Sequence, residues 1–271
     1  MSNQELINFE GKNLFTLSHV PKKITNQWGI LLLAGLGENL SDLDYFMKNI
    51  AVDLCENNIF AMQIDLTGHG ESDGDFDNIN ERILLNDIEN AVLLMKRKGY
   101  KKIGVLTRGY LCNLYTEIVK NQSIELFIGI SPIILSKDAQ DEINKDFAFN
   151  KNKNTFIDMF DSVDKSNMII TMLGSEPQNL YTERINERFW NEIITRITTL
   201  NSNDVPKSVE TIWFSFDNEQ MIYKKYYSVK DISEKTLSYY HGYAFPRNIQ
   251  IESFLRLQIV AVICRRVMKE I

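Results

Sequence analysis

Short apolar runs along this chain alternate with longer segments whose apolar residues recur every three to four positions, which predicts strands separated by helices. Residues 6–9 and 14–20 read as two strands joined by a turn at Gly11-Lys12-Asn13, and Pro21, with no N–H for a ladder, ends the second. Residues 28–34 are apolar throughout, as expected of a strand covered on both faces. After Gly35-Leu36-Gly37, Asn39 or Ser41 is placed to cap a helix over 42–57. Its Leu43, Phe46, Met47, Ile50, Ala51 and Leu54 fall at helical spacing. A strand over 59–66, a glycine-rich loop over 67–74 and a helix over 79–98 follow. Next, Ile103, Val105 and Leu106 lead through Thr107-Arg108-Gly109 into a helical pattern of Tyr110, Leu111, Leu114, Tyr115, Ile118 and Val119. A sixth strand over 126–130 closes at Ser131-Pro132. From 133 to about 206 the rhythm changes: Asn and Lys abound, 156–163 and 183–197 read as helical, and the apolar run 168–173 fits strand or helix turn equally. The sheet resumes over 209–216, ends over 236–240, and an amphipathic helix over 249–271 closes the chain. Strands separated by helices in this rhythm predict an α/β fold with a mostly parallel sheet and right-handed crossovers.

With 271 residues and 44% hydrophobic content, the chain can bury one large core. The formal net charge of −6, with no Lys and Arg cluster that dominates any inferred face, disfavours a nucleic-acid partner, since phosphate tracking needs a basic stripe. The first residues show no basic leader followed by an apolar core. No apolar run nears the ~18 residues of a membrane span, 257–264 being the longest candidate. A soluble, cytoplasmic protein is therefore expected. Cys55, Cys112 and Cys264 are isolated and odd in number, which predicts reduced, mostly buried thiols rather than a zinc or disulfide framework. No metal or cofactor is expected, and no internal repeat is evident.

The strand, tight turn and helix around 101–120 form the kind of corner that presents a nucleophile in the pattern GxSxG. Laid on that pattern without a gap, Thr107 takes the first glycine, Gly109 the serine and Leu111 the last glycine. Two further stretches, AGLGEN at 34–39 and DLTGHGESDG at 65–74, resemble the α/β-hydrolase family, in particular its serine aminopeptidase or monoacylglycerol-lipase-like branch. There the segments usually read HGxGE and DxxGHGxSxG. The resemblance spans about 8–132 and 209–241. It implies an α/β-hydrolase core over 1–132 and 207–271, a helical cap inserted at 133–206, and a glycine-rich loop that shapes the site without doing chemistry.

That resemblance also implies a nucleophile, a histidine base, an acid and two backbone N–H donors for an oxyanion. His241 stands where the family keeps its base. Asp217 stands where it keeps its acid, with Glu219 in reserve because the register over 217–219 is open. The oxyanion donors would be the N–H groups of Leu36 and Tyr110. Ala34 occupies a place where histidine is common. Gly109 has no atom that can attack a carbonyl, and the loss of serine and its flanking glycines leads us to expect a corner that need not be sharp. Among neighbours, Cys112 reads as a small buried thiol, Thr107 should point into the strand environment, and Ser131 lies near the carboxyl edge of the sheet. Arg108 is either a solvated side chain or a cation that holds a substrate carboxylate or phosphate. Tyr239, Tyr240, Tyr243 and Phe245 around His241 read as packing or pocket lining. Three functions are compatible with this set: a nucleophile-less protein binding a small acyl or peptide-like ligand or a protein partner; an enzyme using His241 with Asp217 as general base; and a hydrolase with a displaced nucleophile.

Overall fold

Eight strands make one sheet in the order β1-β2-β4-β3-β5-β6-β7-β8. The computed structural model describes residues 2–41, 45–122, 124–132, 187–197, 208–217, 222–226 and 249–269. Its elements are β1 Ser2–Phe9, β2 Lys12–His19, β3 Trp28–Leu33, α1 Phe46–Glu56, β4 Phe60–Ile64, α2 Glu81–Arg97, β5 Lys102–Arg108, α3 Tyr115–Gln122, β6 Leu126–Ile130, α4 Glu187–Ile197, β7 Glu210–Asp217, β8 Ile222–Tyr226 and α5 Ile249–Met268. Strands β4, β3, β5, β6 and β7 are parallel, while β1, β2 and β8 pair antiparallel with their neighbours.

The sheet is sandwiched because alternate residues of each central strand feed opposite cores. Leu31, Leu33, Ile103, Val105, Phe127 and Trp213 meet α2, α3 and α4 on one face. Ile30, Leu32, Leu106, Ile128 and Phe214 meet α1 and α5 on the other. Every residue of β3, β4 and β6 is buried, the physical reason for their unbroken apolar runs.

Several boundaries differ from the sequence expectations. β1 begins at Ser2, ahead of its apolar stretch, because residues Ser2 to Glu5 are held by pairing with β2 through Glu5↔Thr16 and Ser2↔His19. α1 starts at Phe46 with Tyr45 as its N-cap at φ 58 and no side-chain cap, so neither Asn39 nor Ser41 caps it. Asn39 Oδ1 instead accepts the Ser41 N–H at 2.9 Å. α2 does have a side-chain cap: Asn80 Oδ1 accepts the Ile83 N–H at 3.0 Å. The strand beside β7 is β8, an antiparallel partner close behind it in sequence. The expected strand over 236–240, the helix over 156–163 and the run at 168–173 lie outside the described residues. α4 buries Phe189 and Ile193 in the same core as α2 and α3.

Candidate functional site

Parallel strands end on one edge, and here that edge gathers the predicted positions. Thr107 of β5 pairs with Leu33 of β3 and with Gly129 of β6. The loop at 35–38, the corner at Gly109 and Ser131 therefore leave the sheet side by side. β7 runs to Asp217 at the same edge, where Asp217 pairs with Ile222. His241 and Glu219 lie outside the described residues, as does the side chain of Asp217.

The corner is sharp, although the sequence did not require it to be. Arg108 is extended at φ −135 and ψ 152, Gly109 turns at φ 62, and a 3-10 turn over Gly109–Leu114 runs into α3. A left-handed residue between strand and helix is the strained geometry of a nucleophile corner. Glycine adopts it without steric cost. Tyr110 is the second residue of this turn, where N–H groups have no partner within the helix.

Arg108 is wholly buried rather than solvated, and its guanidinium Nη2 is ion-paired with Glu38 Oε1. Glu38 Oε2 accepts the Gly35 N–H at 2.6 Å, and the Glu38 N–H donates to the Gly35 carbonyl at 3.0 Å. Sequence reading missed the role of Glu38. The residue stands in the AGLGEN motif, and its partner 70 positions away gives no local signal.

The glycine-rich loop acts as a frame. His69 Nε2 accepts the Gly37 N–H at 3.0 Å while its Nδ1–H donates to the Thr67 carbonyl at 2.9 Å, which sets the tautomer. Burial pulls the His69 pKa down to about 4, so the ring is neutral. Asp65 accepts the N–H groups of Leu40 at 2.7 Å and Glu71 at 3.0 Å, and burial pushes its carboxyl up to about 6. A Cβ at Gly70 would meet Asp65 Oδ2 at 2.1 Å, so this approach requires glycine. Ser72 Oγ donates to the Asp65 carbonyl at 2.6 Å and accepts the Phe15 N–H at 2.8 Å.

The neighbours that could replace a nucleophile are placed as follows. Cys112 is fully buried, its Sγ lies 3.4 Å from the carbonyls of Thr107 and Ile130, and burial pushes its thiol pKa far up. That suppresses the thiolate a nucleophile needs. Thr107 is also fully buried. Ser131 is half-buried at φ 50, and its N–H donates to the Phe214 carbonyl at 2.8 Å.

Behind the corner, the Tyr110 hydroxyl donates to Glu81 Oε1 at 2.5 Å. Arg196 of α4 bridges Glu81 and Glu117, each at 2.6 Å, and the Phe189 ring stands edge-on to Tyr110 with centroids 6.1 Å apart. Among the described residues no cluster of three His, Cys, Asp or Glu side chains is placed to ligate a metal, and no helix is long and apolar enough to cross a membrane.

No protein-family model matches the sequence, and no curated protein matches it either. Among solved structures, a soluble variant of monoglyceride lipase from Saccharomyces cerevisiae, in complex with a substrate analog, is similar over 96% of this chain and 94% of that one, with 15% identity and a TM-score of 0.64. The α/β hydrolase GrgF from Penicillium sp. sh18 is similar over 55% of this chain at 16% identity and a TM-score of 0.42. XC6422 from Xanthomonas campestris, an α/β serine hydrolase without lid, is similar over 49% at 12% identity and 0.43. The chain spans 52% of GrgF and 62% of XC6422.

Proposed function

Starting from the α/β-hydrolase fold, which this chain has, we propose that it is a hydrolase-like protein without a nucleophile. It binds a small acyl or peptide-like ligand at the carboxyl ends of its strands and carries out no serine chemistry. One observation carries this reading: the residue at the bend between β5 and its helix is Gly109, at φ 62, in the geometry that elsewhere presents a serine hydroxyl. Acyl transfer begins when a nucleophile forms a bond to the carbonyl carbon, and Gly109 offers no atom for that bond. Cys112 and Thr107 are buried on either side of it and do not substitute.

In this reading the backbone N–H groups of Leu36 and Tyr110 receive the ligand carbonyl, Ser131 and Arg108 border the site, and the segment 133–206 acts as a cap that selects the ligand. The substrate analog bound by the yeast lipase is consistent with an acyl ligand. The protein works in the cytoplasm as a pseudoenzyme with a degenerate triad.

A fluorophosphonate probe is expected to leave the wild-type protein unlabelled, as read by intact-mass spectrometry. Stoichiometric labelling would restore a conventional hydrolase with a displaced nucleophile. Gly109→Ser places a hydroxyl at a bend whose strain for a non-glycine residue is about 1–2 kcal/mol. The variant is expected to gain probe labelling if donors and base remain in register. A second reading rests on β7, which ends at Asp217 on the edge that carries Gly109: His241 with Asp217 acts as a general base on water or on a substrate proton. Under it His241→Ala abolishes turnover; under the first reading the same variant leaves ligand binding intact.

A further inference from the structure

We propose that Arg108 is a positioning residue: through Glu38 it holds the loop at 35–38 in one setting against the Gly109 corner. The two backbone segments that face the ligand thereby stay in register although no nucleophile organises them. This inference rests on the ligand-binding reading above, because it assigns the pair a task at that same site.

β3 and β5 are paired as far as Leu33↔Thr107, and beyond that pair the two chains diverge, one into the loop at 35–38 and the other into the corner. The Arg108–Glu38 ion pair carries the connection across this gap. Its geometry is that of a bridge. One carboxylate oxygen receives the guanidinium next to the corner, and the other receives the Gly35 N–H at 2.6 Å, so a single side chain ties both segments. Both side chains are essentially without solvent exposure, at 0% and 1%. The far side of the loop is tied separately, by the Gly37 N–H on His69 Nε2 at 3.0 Å.

Net stability does not explain such a pair. Two apolar residues of similar volume often stabilise a core as well as or better than a buried ion pair, because desolvating both charges costs much of their attraction. What the pair adds is direction: a planar guanidinium and a carboxylate constrain each other's placement as two methyl groups do not. The same pairing means that the Arg108 charge is already countered by Glu38 and is not presented as a bare cation to an anionic ligand.

Hydrogen exchange of the full-length protein, read by mass spectrometry at peptide level, tests the proposal. The amides of 35–38 are compared with those of β3 and β5 in the wild type, Arg108→Met, Arg108→Lys and the double variant Arg108→Met with Glu38→Gln. The double variant leaves no lone charge in the core and so folds even if the single one does not. Breaking the bridge is expected to speed exchange at 35–38 by about tenfold or more while the strands change by less than about twofold. Lysine, which keeps the charge without the fork, should recover part of the protection. Unchanged exchange at 35–38 in the double variant would overturn the proposal, as would equal acceleration in loop and strands, since the pair would then merely hold the fold. Fluorophosphonate labelling of the wild type decides the nucleophile-less reading separately: a labelled protein with a loosened loop in the variants would remove that reading and leave the bridge standing.

Discussion

His69 is one of three histidines in the chain, and its environment leaves it neutral. Its ring is 5% exposed, accepts one backbone N–H and donates to one carbonyl, a division of labour open only to the uncharged form. Burial lowers its pKa from 6.5 to about 4. Between those values the unfolded chain binds a proton that the folded chain refuses, so the His69 contribution to stability is complete above about pH 6.5 and is lost as pH falls toward 4. Asp65 has the opposite sign. Its carboxyl is raised from 3.8 to about 6, so the folded chain keeps a proton that the unfolded chain releases, and that contribution is lost as pH rises through 6. Comparing the wild type with His69→Asn isolates the first effect from the second. The difference in urea unfolding free energy should shrink on going from pH 7 to pH 4.5, by about 1.4 kcal/mol per pH unit within the window. A gap that stays constant would mean that the ring is charged or solvated. The motif containing His69 is plain in the sequence, but its ties to Gly37 and Thr67 are not, because a loop's hydrogen bonds follow from its turns and not from its residue types.

At the scale of elements, β6 is built around an absence. A Cβ at Gly129 would lie 2.4 Å from the Cε3 and Cζ3 atoms of Trp213, its neighbour on β7. The Trp213 ring cannot withdraw, since it is fully buried with Tyr115 and Phe127 at centroid distances of 5.1 and 5.3 Å. Gly129→Ala is therefore expected to destabilise the protein by about 2–3 kcal/mol through overpacking. Thermal melting with near-ultraviolet circular dichroism checks this, and an unchanged tryptophan signal and midpoint would show that β6 and β7 separate more easily than their packing implies. Gly29 makes a useful contrast. Its Cβ would meet the terminal methyl of Met95 at 2.6 Å, and a flexible chain end yields at lower cost. Periodicity located most elements of the core because β3, β4 and β6 are covered on both faces and α2 on one. It failed at the polar start of β1 and at β8, whose residues are strand because a neighbour pairs with them.

For the molecule as a whole, the joint between α4 and the corner matters most. Arg196 reaches from α4 to Glu81 at the start of α2 and to Glu117 on α3, while Tyr110, the residue after Gly109, donates to the same Glu81. These side chains are between 14% and 31% exposed, so solvent screens part of their attraction. Arg196→Met should lower stability by only about 1–2 kcal/mol, the loss of a partly exposed network. It should also raise hydrogen exchange in α4 well before the sheet. Simultaneous loosening of α4 and the central strands would show instead that the helix is an integral support of the core.

Alternating apolar runs and two glycine-bearing motifs were enough to read the layered α/β plan and the strand-turn-helix corner at Gly109, because periodicity and turn chemistry are written in residues close together along the chain. The sharpness of that corner, the burial of Arg108 and its pairing with Glu38, the neutral His69 under Gly37 and the anchoring of α4 were settled only once the strands were paired. Those contacts join residues 70, 32 and 115 positions apart. Backbone pairing and the exclusion of water bring such partners together, and neither is a property of any short stretch of sequence.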